Sequence, residues 1–345
     1  MPADPSAGLL AQLAKHEYPI AEESWGEFWD RLDAKELENG EALAVTCSLT
    51  TLTPEPGSVS AMLASLRARN EGPSKPTEPT VNIVGTGGGP STFNLSTASA
   101  IVAAALGARV IKTGSRAYAS RTGSIDMLNR LGIPLAGSYA EIEEMLGEFG
   151  IACCGPFVYP KQLARLARQI LPFDMKTVGR FFNLVGPFLA QIPVTMQITG
   201  VSDHSALPMF REISAQDPDK RIWVAWNELG ADELLSVVPS QVYDSEVGEE
   251  MTITPSELGL REAPFEDLAP VDDLDATVDH VRALISGDGP PGAIDSIKLN
   301  AGALALAAGV VDGWPAALEL AGDTMTAGEP VRLIERLRAH RDAGK

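Results

Sequence analysis

The chain is poor in cysteine, histidine and basic residues. Its 345 residues include only 3 cysteines and 4 histidines. Three thiols, of which Cys153 and Cys154 are adjacent, cannot form a disulfide framework, and no Cys/His spacing indicates zinc. Acidic residues outnumber basic ones by 46 to 27, so the net charge is -19. We therefore expect no nucleic-acid partner, and a site for an anion would have to be a local exception.

Long hydrophobic runs are missing as well. No stretch of about 18 uncharged apolar residues occurs, so we expect no membrane association. The N-terminus lacks the basic and apolar regions of a secretory signal peptide. Both absences favour a cytoplasmic location. Hydrophobic residues nevertheless make up 45% of the chain, which is typical of a globular protein with a sizeable core.

Apolar spacing divides the chain into two parts. Residues 8–70 have helical periodicity, and the stripe Trp25, Phe28, Trp29 and Leu32 favours a core or subunit contact over a ligand site. After a polar, proline-rich linker at 71–80, short strands alternate with helices. The predicted fold class is α/β: a small helical domain over 1–75, joined by a returning helical segment near 160–190, precedes a larger α/β domain over 76–345 with a central helix-flanked sheet.

A glycine-rich loop lies between the first predicted strand and its helix. Glycine has no Cβ, so backbone N–H groups there can approach a bulky anion. Polar residues stand at the start of the following helix, where unpaired N–H groups and the helix dipole favour phosphate. The loop glycines are Gly85, Gly87, Gly88 and Gly89, and the polar residues are Asn94, Ser96 and Thr97.

The charge around this loop differs from that of the whole chain. Residues 79–125 contain no acidic residue, but they contain Arg109, Lys112, Arg116 and Arg121. A local positive excess at the end of a parallel strand suits a ligand with several phosphates. The dinucleotide fingerprint would need glycine at Pro90, and no lysine follows the glycines as in a P-loop. These features disfavour an NAD enzyme and a P-loop NTPase.

Several short motifs match, in the same order, those of one known family. They are Gly85–Gly89, Thr92–Thr97, Lys112–Arg116, Thr122–Asp126, Arg180–Pro187, Gly230–Leu234, Thr252–Pro255 and Leu299–Ala301. Together they resemble the motifs of the anthranilate phosphoribosyltransferase family. The match extends over nearly the whole chain, and the ordered set is specific where each motif alone is not.

This resemblance implies a pentosyltransferase and a distribution of roles. The enzyme would move ribose 5-phosphate from phosphoribosyl pyrophosphate to an aromatic amine, with Mg²⁺, and release pyrophosphate, as in tryptophan biosynthesis. It also implies a nucleoside phosphorylase/phosphoribosyltransferase-like fold and a homodimer formed through the helical domain. Donor contacts would be Gly85, Thr86, Gly87, Gly88, Asn94, Ser96, Thr97, Lys112 and Ser124. Ser96 would contact one Mg²⁺ ion, Asp232 and Glu233 would hold a second, and the catalytic residues would be Lys112 and Arg116.

Departures from the family pattern cluster on the acceptor side and in the glycine loop. Gly89 and Pro90 replace the family's loop aspartate and glycine, while Thr113 and Ser115 replace a histidine and an asparagine. The shorter side chains favour a pocket altered for a larger aromatic acceptor, with anthranilate itself as the alternative. The implied acceptor contacts are Thr113, Ser115, Tyr159, Arg168 and Gly186, with Arg165 as an alternative to Arg168.

Two other functions remain open at this point. A nucleoside phosphorylase would share the architecture but bind inorganic phosphate and would not need Asp232 and Glu233 for a metal. A catalytically silent relative acting as a binding protein is favoured by the missing loop aspartate. The retained Ser96, Lys112 and carboxylate pair argue against the silent relative.

Overall fold

Helices and one sheet form the regular structure in the computed structural model, which describes residues 8–70, 72–114, 123–217, 219–271 and 273–344. The helices are α1 Leu9–Lys15, α2 Glu22–Ala34, α3 Glu41–Thr51, α4 Pro56–Arg67, α5 Leu95–Ala105, α6 Ser124–Leu131, α7 Tyr139–Phe149, α8 Lys161–Gln169, α9 Met175–Val178, α10 Arg180–Leu184, α11 Gly186–Leu189, α12 Leu207–Ala215, α13 Leu274–Leu284, α14 Pro291–Ala307, α15 Trp314–Thr326 and α16 Glu329–Asp342. The strands are β1 Val81–Gly85, β2 Val110–Lys112, β3 Leu135–Ala136, β4 Ile151–Cys154, β5 Met196–Gly200, β6 Arg221–Asn227, β7 Ser240–Asp244 and β8 Glu249–Ile253.

The chain forms two compact units. Unit 1 comprises residues 1–73, 157–192 and 205–217, and unit 2 comprises 74–156, 193–204 and 218–345. The segment 205–217, which contains α12, belongs to unit 1, although the sequence analysis placed it in the α/β domain. Its buried face explains the difference, because Phe210 of α12 stacks on Phe188 of α11 with ring centroids 5.2 Å apart.

Unit 1 is helical and is built around aromatic side chains. The predicted stripe on α2 is buried in this core, with Trp25 and Trp29 fully shielded from solvent. Phe28 packs edge-on against Trp29, and the indole N–H of Trp29 donates to the Ser65 hydroxyl of α4 at 3.1 Å. The stripe is therefore core, since its large apolar side chains pack on α4 and this buried indole donor is satisfied.

Unit 2 contains a sheet of eight described strands in the order β3-β4-β2-β1-β5-β6-β7-β8. The pairs from β3 to β6 are parallel, whereas β6–β7 and β7–β8 are antiparallel. Buried helices α5 and α14 pack against each other and against β1. The predicted α/β class with a helix-flanked sheet is confirmed.

The apolar pattern does not predict every element of unit 2. Helices α6, α7 and α16 and strands β3, β4, β7 and β8 have no predicted counterpart. In β7, β8 and α16 the apolar residues form short runs interrupted by polar ones. Apolar spacing over 296–308 predicts a helix, and α14 lies there but begins five residues earlier, at Pro291. Cys153 and Cys154 are buried in β4, as expected for structural thiols. None of the described helices combines the length and apolar character that a membrane crossing requires.

Candidate active site at the carboxyl edge of the sheet

The candidate site lies where four parallel strands of unit 2 end. Strands β2, β1, β5 and β6 are neighbours in the sheet, so their carboxyl ends share one edge. From β1 the chain continues to β2 on one side, while β5 pairs with β1 on the other side. Such a reversal of strand order opens a crevice that commonly binds ligands in α/β proteins.

The glycine loop follows β1 and is held by the loop after β5. Gly87 and Gly88 have φ values of 71° and 88°, which side chains with a Cβ rarely adopt. The Thr86 amide donates to the Gly200 carbonyl at 3.0 Å, and the Ser202 amide donates to the Thr86 hydroxyl at 3.2 Å. The Ser202 hydroxyl donates to the Gly87 carbonyl. The loop conformation is therefore fixed by hydrogen bonds to Gly200 and Ser202, at and just beyond the end of β5.

Two carboxylates from the loop after β6 hold the N–H groups of this edge. Asp232 accepts a hydrogen bond from the Gly87 amide at 2.7 Å. Glu233 accepts from the Ser96 amide at 2.9 Å and from the Thr92 hydroxyl at 2.6 Å. The acidic pair thus meets both the glycine loop and the N-terminus of α5, although Thr92 and Glu233 are 141 residues apart in sequence.

Close packing around Asp232 requires glycine in two strands. A Cβ at Gly200 would overlap the Asp232 backbone, and one at Gly85 would overlap its carboxylate. These glycines end the neighbouring strands β5 and β1, where they pair in register. The acidic loop can lie directly on the strand ends only because both positions lack side chains.

The electrostatics of the acidic pair suit a divalent cation. Burial raises the pKa of Asp232, and burial together with the neighbouring Asp232 raises the pKa of Glu233 to about 7. A cation at the pair would offset the repulsion that disfavours two charged carboxylates. In the described part of the chain, no three His, Cys, Asp or Glu residues converge on one point. Two carboxylates that are completed by ligand oxygens fit Mg²⁺.

Lys112 ends β2 as a buried lysine that is 2% exposed. Burial lowers its pKa to about 8, while the charges of Glu233 and Asp232 act in the opposite direction. Its ammonium group donates to the Thr113 carbonyl at 2.6 Å. Lys112 pairs in register with Cys153 of β4, so apolar strands surround it. A largely desolvated cation of this kind is a strong attractor for an anion.

The start of α5 supplies the remaining predicted donor contacts. Asn94 precedes the helix in the left-handed conformation, with φ 67°, and its side chain forms no capping hydrogen bond. Thr97 is fully buried, and its hydroxyl has no hydrogen-bond partner among the described residues. Ser96 stands between them. The helix N-terminus thus carries the backbone N–H, side-chain amide and hydroxyl groups that phosphate oxygens require.

Ser124 begins α6 and lies directly against Gly114, just beyond β2, where a Cβ would overlap its hydroxyl. The end of β2 and the start of α6, both predicted to bind phosphate, therefore lie next to each other. Two residues predicted in the intervening loop, the catalytic Arg116 and the acceptor residue Ser115, lie outside the described residues. Their roles stay predictions.

The predicted acceptor residues divide between the two units. Thr113 belongs to unit 2, whereas Tyr159, Arg168 and Gly186 belong to unit 1. Arg165 forms an ion pair with Asp33, while Arg168 is exposed on the same helix, α8. Because a carboxylate already engages Arg165, Arg168 remains the better candidate of the two.

Thr113 is part of a buried polar network. It is 1% exposed, and its hydroxyl accepts from the Asn82 side-chain amide at 3.0 Å. The Asn82 amide also donates to Gln197 at 3.3 Å, and Gln197 donates to Thr199 at 2.9 Å. The Thr113 hydroxyl therefore has a partner within unit 2. A contact from this residue to an acceptor stays a prediction.

Comparison with known proteins agrees with this arrangement. A family model described as the glycosyl transferase family, a/b domain, matches residues 77–331. The anthranilate phosphoribosyltransferase of Desulfotalea psychrophila is 32% identical over 265 residues, which are 76% of this chain and 75% of that protein. This chain belongs to the anthranilate phosphoribosyltransferase family.

Solved structures of the family extend the match. The crystal structure of the enzyme from Thermus thermophilus has a TM-score of 0.80 at 29% identity and covers 96% of this chain and 98% of that chain. The enzyme from Saccharomyces cerevisiae, described in complex with PRPP and Mg, has a TM-score of 0.80 and covers 96% of each chain. At 19% identity that second likeness concerns the fold.

The structure leaves no room for a side chain at Gly89, where the family resemblance leads one to expect an aspartate. A Cβ at Gly89 would overlap the Gly230 carbonyl and would also lie 3.2 Å from the Ser202 side chain. The loops after β5 and β6 therefore close on the position that an aspartate side chain would need. Glycine at position 89 therefore fits the closely packed loops around it in this chain.

Some residues of the site were missed in the sequence analysis. Thr92 was quoted only as part of a motif, Ser202 and Asn227 were not singled out, and all three form hydrogen bonds at this edge. Ser202 and Asn227 lie at or just beyond the ends of strands β5 and β6. The rule that ligands bind at carboxyl ends of parallel strands would have identified both.

Proposed function

We propose that this enzyme transfers ribose 5-phosphate from phosphoribosyl pyrophosphate to an aromatic amine, with anthranilate as the acceptor, and releases pyrophosphate with Mg²⁺. The observation that carries the proposal is the convergence of Gly87, Ser96 and Thr92 on the adjacent carboxylates Asp232 and Glu233. This places donors for diphosphate oxygens beside ligands for a hard cation. The names of the family members support the same reaction.

The N–H groups now held by the carboxylates are suited to the diphosphate. Asp232 and Glu233 occupy the Gly87 and Ser96 amides with negatively charged oxygens, which is the group that a diphosphate would present. Mg²⁺ held at the Asp232 and Glu233 pair and at Ser96 would supply a Lewis acid for the leaving group. If the carboxylates turned toward a cation, both amides would become available to the diphosphate.

Bond cleavage separates charge in a way that these groups stabilise. The bond from the ribose anomeric carbon to the diphosphate oxygen breaks, and its electron pair leaves with pyrophosphate. Positive charge develops on the sugar and negative charge on the leaving group. Fixed amides of the glycine loop and the Lys112 ammonium stabilise the negative charge because they are oriented before the reaction starts.

Attack on the anomeric carbon needs little help from the protein. The neutral arylamine supplies its own lone pair to form the new C–N bond, and its extra proton is lost afterwards to solvent. No strong side-chain base is required. The scarcity of histidine agrees with this. The His204 Nε2–H group donates to the Asn227 carbonyl at 2.9 Å, and His280 packs edge-on against Phe93.

Steady-state assays of the purified protein test the proposal. With phosphoribosyl pyrophosphate and Mg²⁺, we expect pyrophosphate release that depends on anthranilate and exceeds release with other aromatic amines. A larger substituted amine that outperforms anthranilate would instead support an acceptor pocket altered around Thr113. Phosphorolysis of nucleosides without Mg²⁺ would favour the phosphorylase, and absence of calorimetric binding of phosphoribosyl pyrophosphate with Mg²⁺ would favour a silent relative.

Variants of the acidic pair test the metal assignment separately. Asp232→Asn and Glu233→Gln keep the size of each side chain but remove its charge. Turnover should fall, and the Mg²⁺ concentration for half-maximal activity should rise, because a hard cation prefers charged oxygen ligands. Wild-type kinetics in both variants would remove the assignment. A homodimer formed through the helical part, a cytoplasmic location and a role in tryptophan biosynthesis remain predictions.

A further inference from the structure

The side chain of Asn227 closes the loop that carries the acidic pair. Asn227 ends β6 and is 2% exposed. Its amide nitrogen donates to the Ala231 and Glu233 carbonyls, each at 3.0 Å, and its amide oxygen accepts from the Ala231 amide at 3.2 Å. Three hydrogen bonds from one side chain thus join the end of the strand to the backbone on both sides of Asp232.

Helix α14 holds the same loop from its other end. The Asn300 side chain donates to the Leu234 carbonyl at 2.6 Å and to the Ser296 carbonyl of its own helix at 2.8 Å. The Ser236 amide donates to the Ser296 hydroxyl at 3.0 Å. Asn300 is fully buried, so these bonds form in an interior where an unpaired carbonyl would be costly.

These bonds hold the backbone that carries the two carboxylates. Adjacent acidic side chains repel each other, and burial together with the neighbouring Asp232 raises the pKa of Glu233. In a flexible loop the two carboxylates would move apart. A cation would then bind more weakly, because part of its binding free energy would be used to bring them together. With the Ala231, Glu233 and Leu234 carbonyls restrained, the backbone of the acidic pair stays beside the glycine loop before a cation arrives, and only the two side chains have to turn toward it.

We propose that Asn227 is a positioning residue for the cation site, with Asn300 supporting the same loop from α14. The inference rests on the proposed function, because it takes Asp232 and Glu233 as the metal ligands. Asn227 acts through the backbone and touches neither cation nor substrate. It lies outside the motif Gly230–Leu234, so the resemblance of that motif assigns it no role.

Calorimetry with pyrophosphate at a series of Mg²⁺ concentrations tests the role. In Asn227→Ala, the Mg²⁺ concentration for half-maximal pyrophosphate binding should rise by about 10–100-fold, the range found when outer partners of metal ligands are removed. Affinity at saturating Mg²⁺ should be nearly restored. Complex formation between Mg²⁺ and pyrophosphate in solution is the same in every titration, so the difference between variants reports the protein.

Asn70→Ala is the matched control. The Asn70 amide also donates to a backbone carbonyl, that of Leu66 at 3.0 Å, but in unit 1. Its Mg²⁺ requirement should equal that of the wild type. If Asn227→Ala lowers the melting temperature and leaves the Mg²⁺ requirement unchanged, Asn227 is merely structural and the proposal is wrong.

A second variant covers the case in which Asn227→Ala does not fold. Asn227→Ser keeps one donor and should shift the Mg²⁺ requirement in the same direction by a smaller factor, and a wild-type requirement in this variant would overturn the proposal. The wild type separates the two hypotheses. If the wild type binds no pyrophosphate with Mg²⁺, the proposed function fails. If the wild type binds pyrophosphate and the Asn227 variants have the same Mg²⁺ requirement as the wild type, only the positioning role fails.

Discussion

The residues proposed to bind the donor and those proposed to bind the acceptor are held in different ways. On the donor side, the loops after β1, β5 and β6 approach one another closely where glycines leave room, and side-chain oxygens there bond to backbone groups. On the acceptor side, the candidates are individual side chains such as Tyr159 and Arg168, and Gly186 has open space where a Cβ would stand. Positions where backbone segments pack closely tolerate few substitutions. Where side chains form the binding surface, substitutions can alter which ligand is bound.

The largest effect should come from Gly200→Ala. The new Cβ would overlap the Asp232 backbone, so the acidic loop must move. We expect stability to fall by about 1–3 kcal/mol and kcat/KM to fall by ~100-fold, as when reacting groups are displaced by about 1 Å. Thermal unfolding and steady-state kinetics measure both.

A glycine in α7 provides the control for that substitution. Gly147→Ala meets nothing within 4 Å and should raise stability by roughly 0.8–1 kcal/mol through helix propensity. Its kinetics should match the wild type. Equal behaviour of the two alanine variants would show that the strand ends are not closely packed.

Restoring the family residue at position 89 should harm this enzyme. In Gly89→Asp the side chain would meet the Gly230 carbonyl and Ser202, so kcat/KM should fall by about 10–100-fold as the glycine loop is displaced. Pro90→Gly, which restores the family's next residue at an exposed position, should remain close to the wild type. Higher activity in Gly89→Asp would contradict the steric explanation for this loop.

Donor binding should weaken as the pH rises through the pKa of Lys112, which is about 8. Below that pH the buried ammonium is charged and attracts the diphosphate; above it, binding must first take up a proton. The binding constant of pyrophosphate with Mg²⁺ should therefore fall by up to about tenfold per pH unit above this pKa. Calorimetry across this range measures it.

Two lysine variants isolate the source of that pH dependence. Lys112→Met should bind pyrophosphate more weakly than the wild type. Its binding constant should no longer fall above the pKa of Lys112, since no ammonium remains to titrate at the end of β2. Lys15→Met changes an exposed lysine of α1, and its pyrophosphate binding constant should fall with pH as in the wild type. An unchanged decline in Lys112→Met would assign the titration to another group.

The smallest effect should appear on the acceptor side. Gly186 begins α11, and an added Cβ meets nothing within 4 Å, so Gly186→Ala should fold like the wild type. If the acceptor lies there, the KM for anthranilate should rise by roughly 3–10-fold with the KM for phosphoribosyl pyrophosphate unchanged. An unchanged KM for both substrates would place the acceptor elsewhere.

Much of the fold could be predicted because it depends on local patterns. Apolar spacing is sufficient to locate α2, α4 and the strands β1, β2, β5 and β6 to within a few residues. Strands β7 and β8 could not be located this way. Their pairing is antiparallel and involves residues such as Glu249 and Glu250, whose polarity resembles that of a loop.

The candidate site was predictable in its residue types and less so in its contacts. A glycine loop, a helix N-terminus and Lys112 at a strand end indicate an anion site through local chemistry. Asp232 and Glu233 could be selected only through the family resemblance, because an acidic pair is common in a chain of this charge. The strand-end positions of Asn227 and Ser202 could have been noticed, but their contacts could not. Ser202 bonds to Thr86 and Gly87, which are 116 and 115 residues away in sequence. Asn227 bonds to the nearby Ala231 and Glu233, and these bonds depend on the folded conformation of the loop after β6.

The amino-acid sequence by itself determined the family, the order of most helices and strands, and which residues carry charge or lack a side chain. The tertiary structure decided which of them meet. It brought Asp232 and Glu233 onto the amides of Gly87 and Ser96, and it closed the space that an aspartate at position 89 would occupy. The physical reason is that parallel strands distant in sequence end at one edge, so contacts between their loops depend on the assembled sheet.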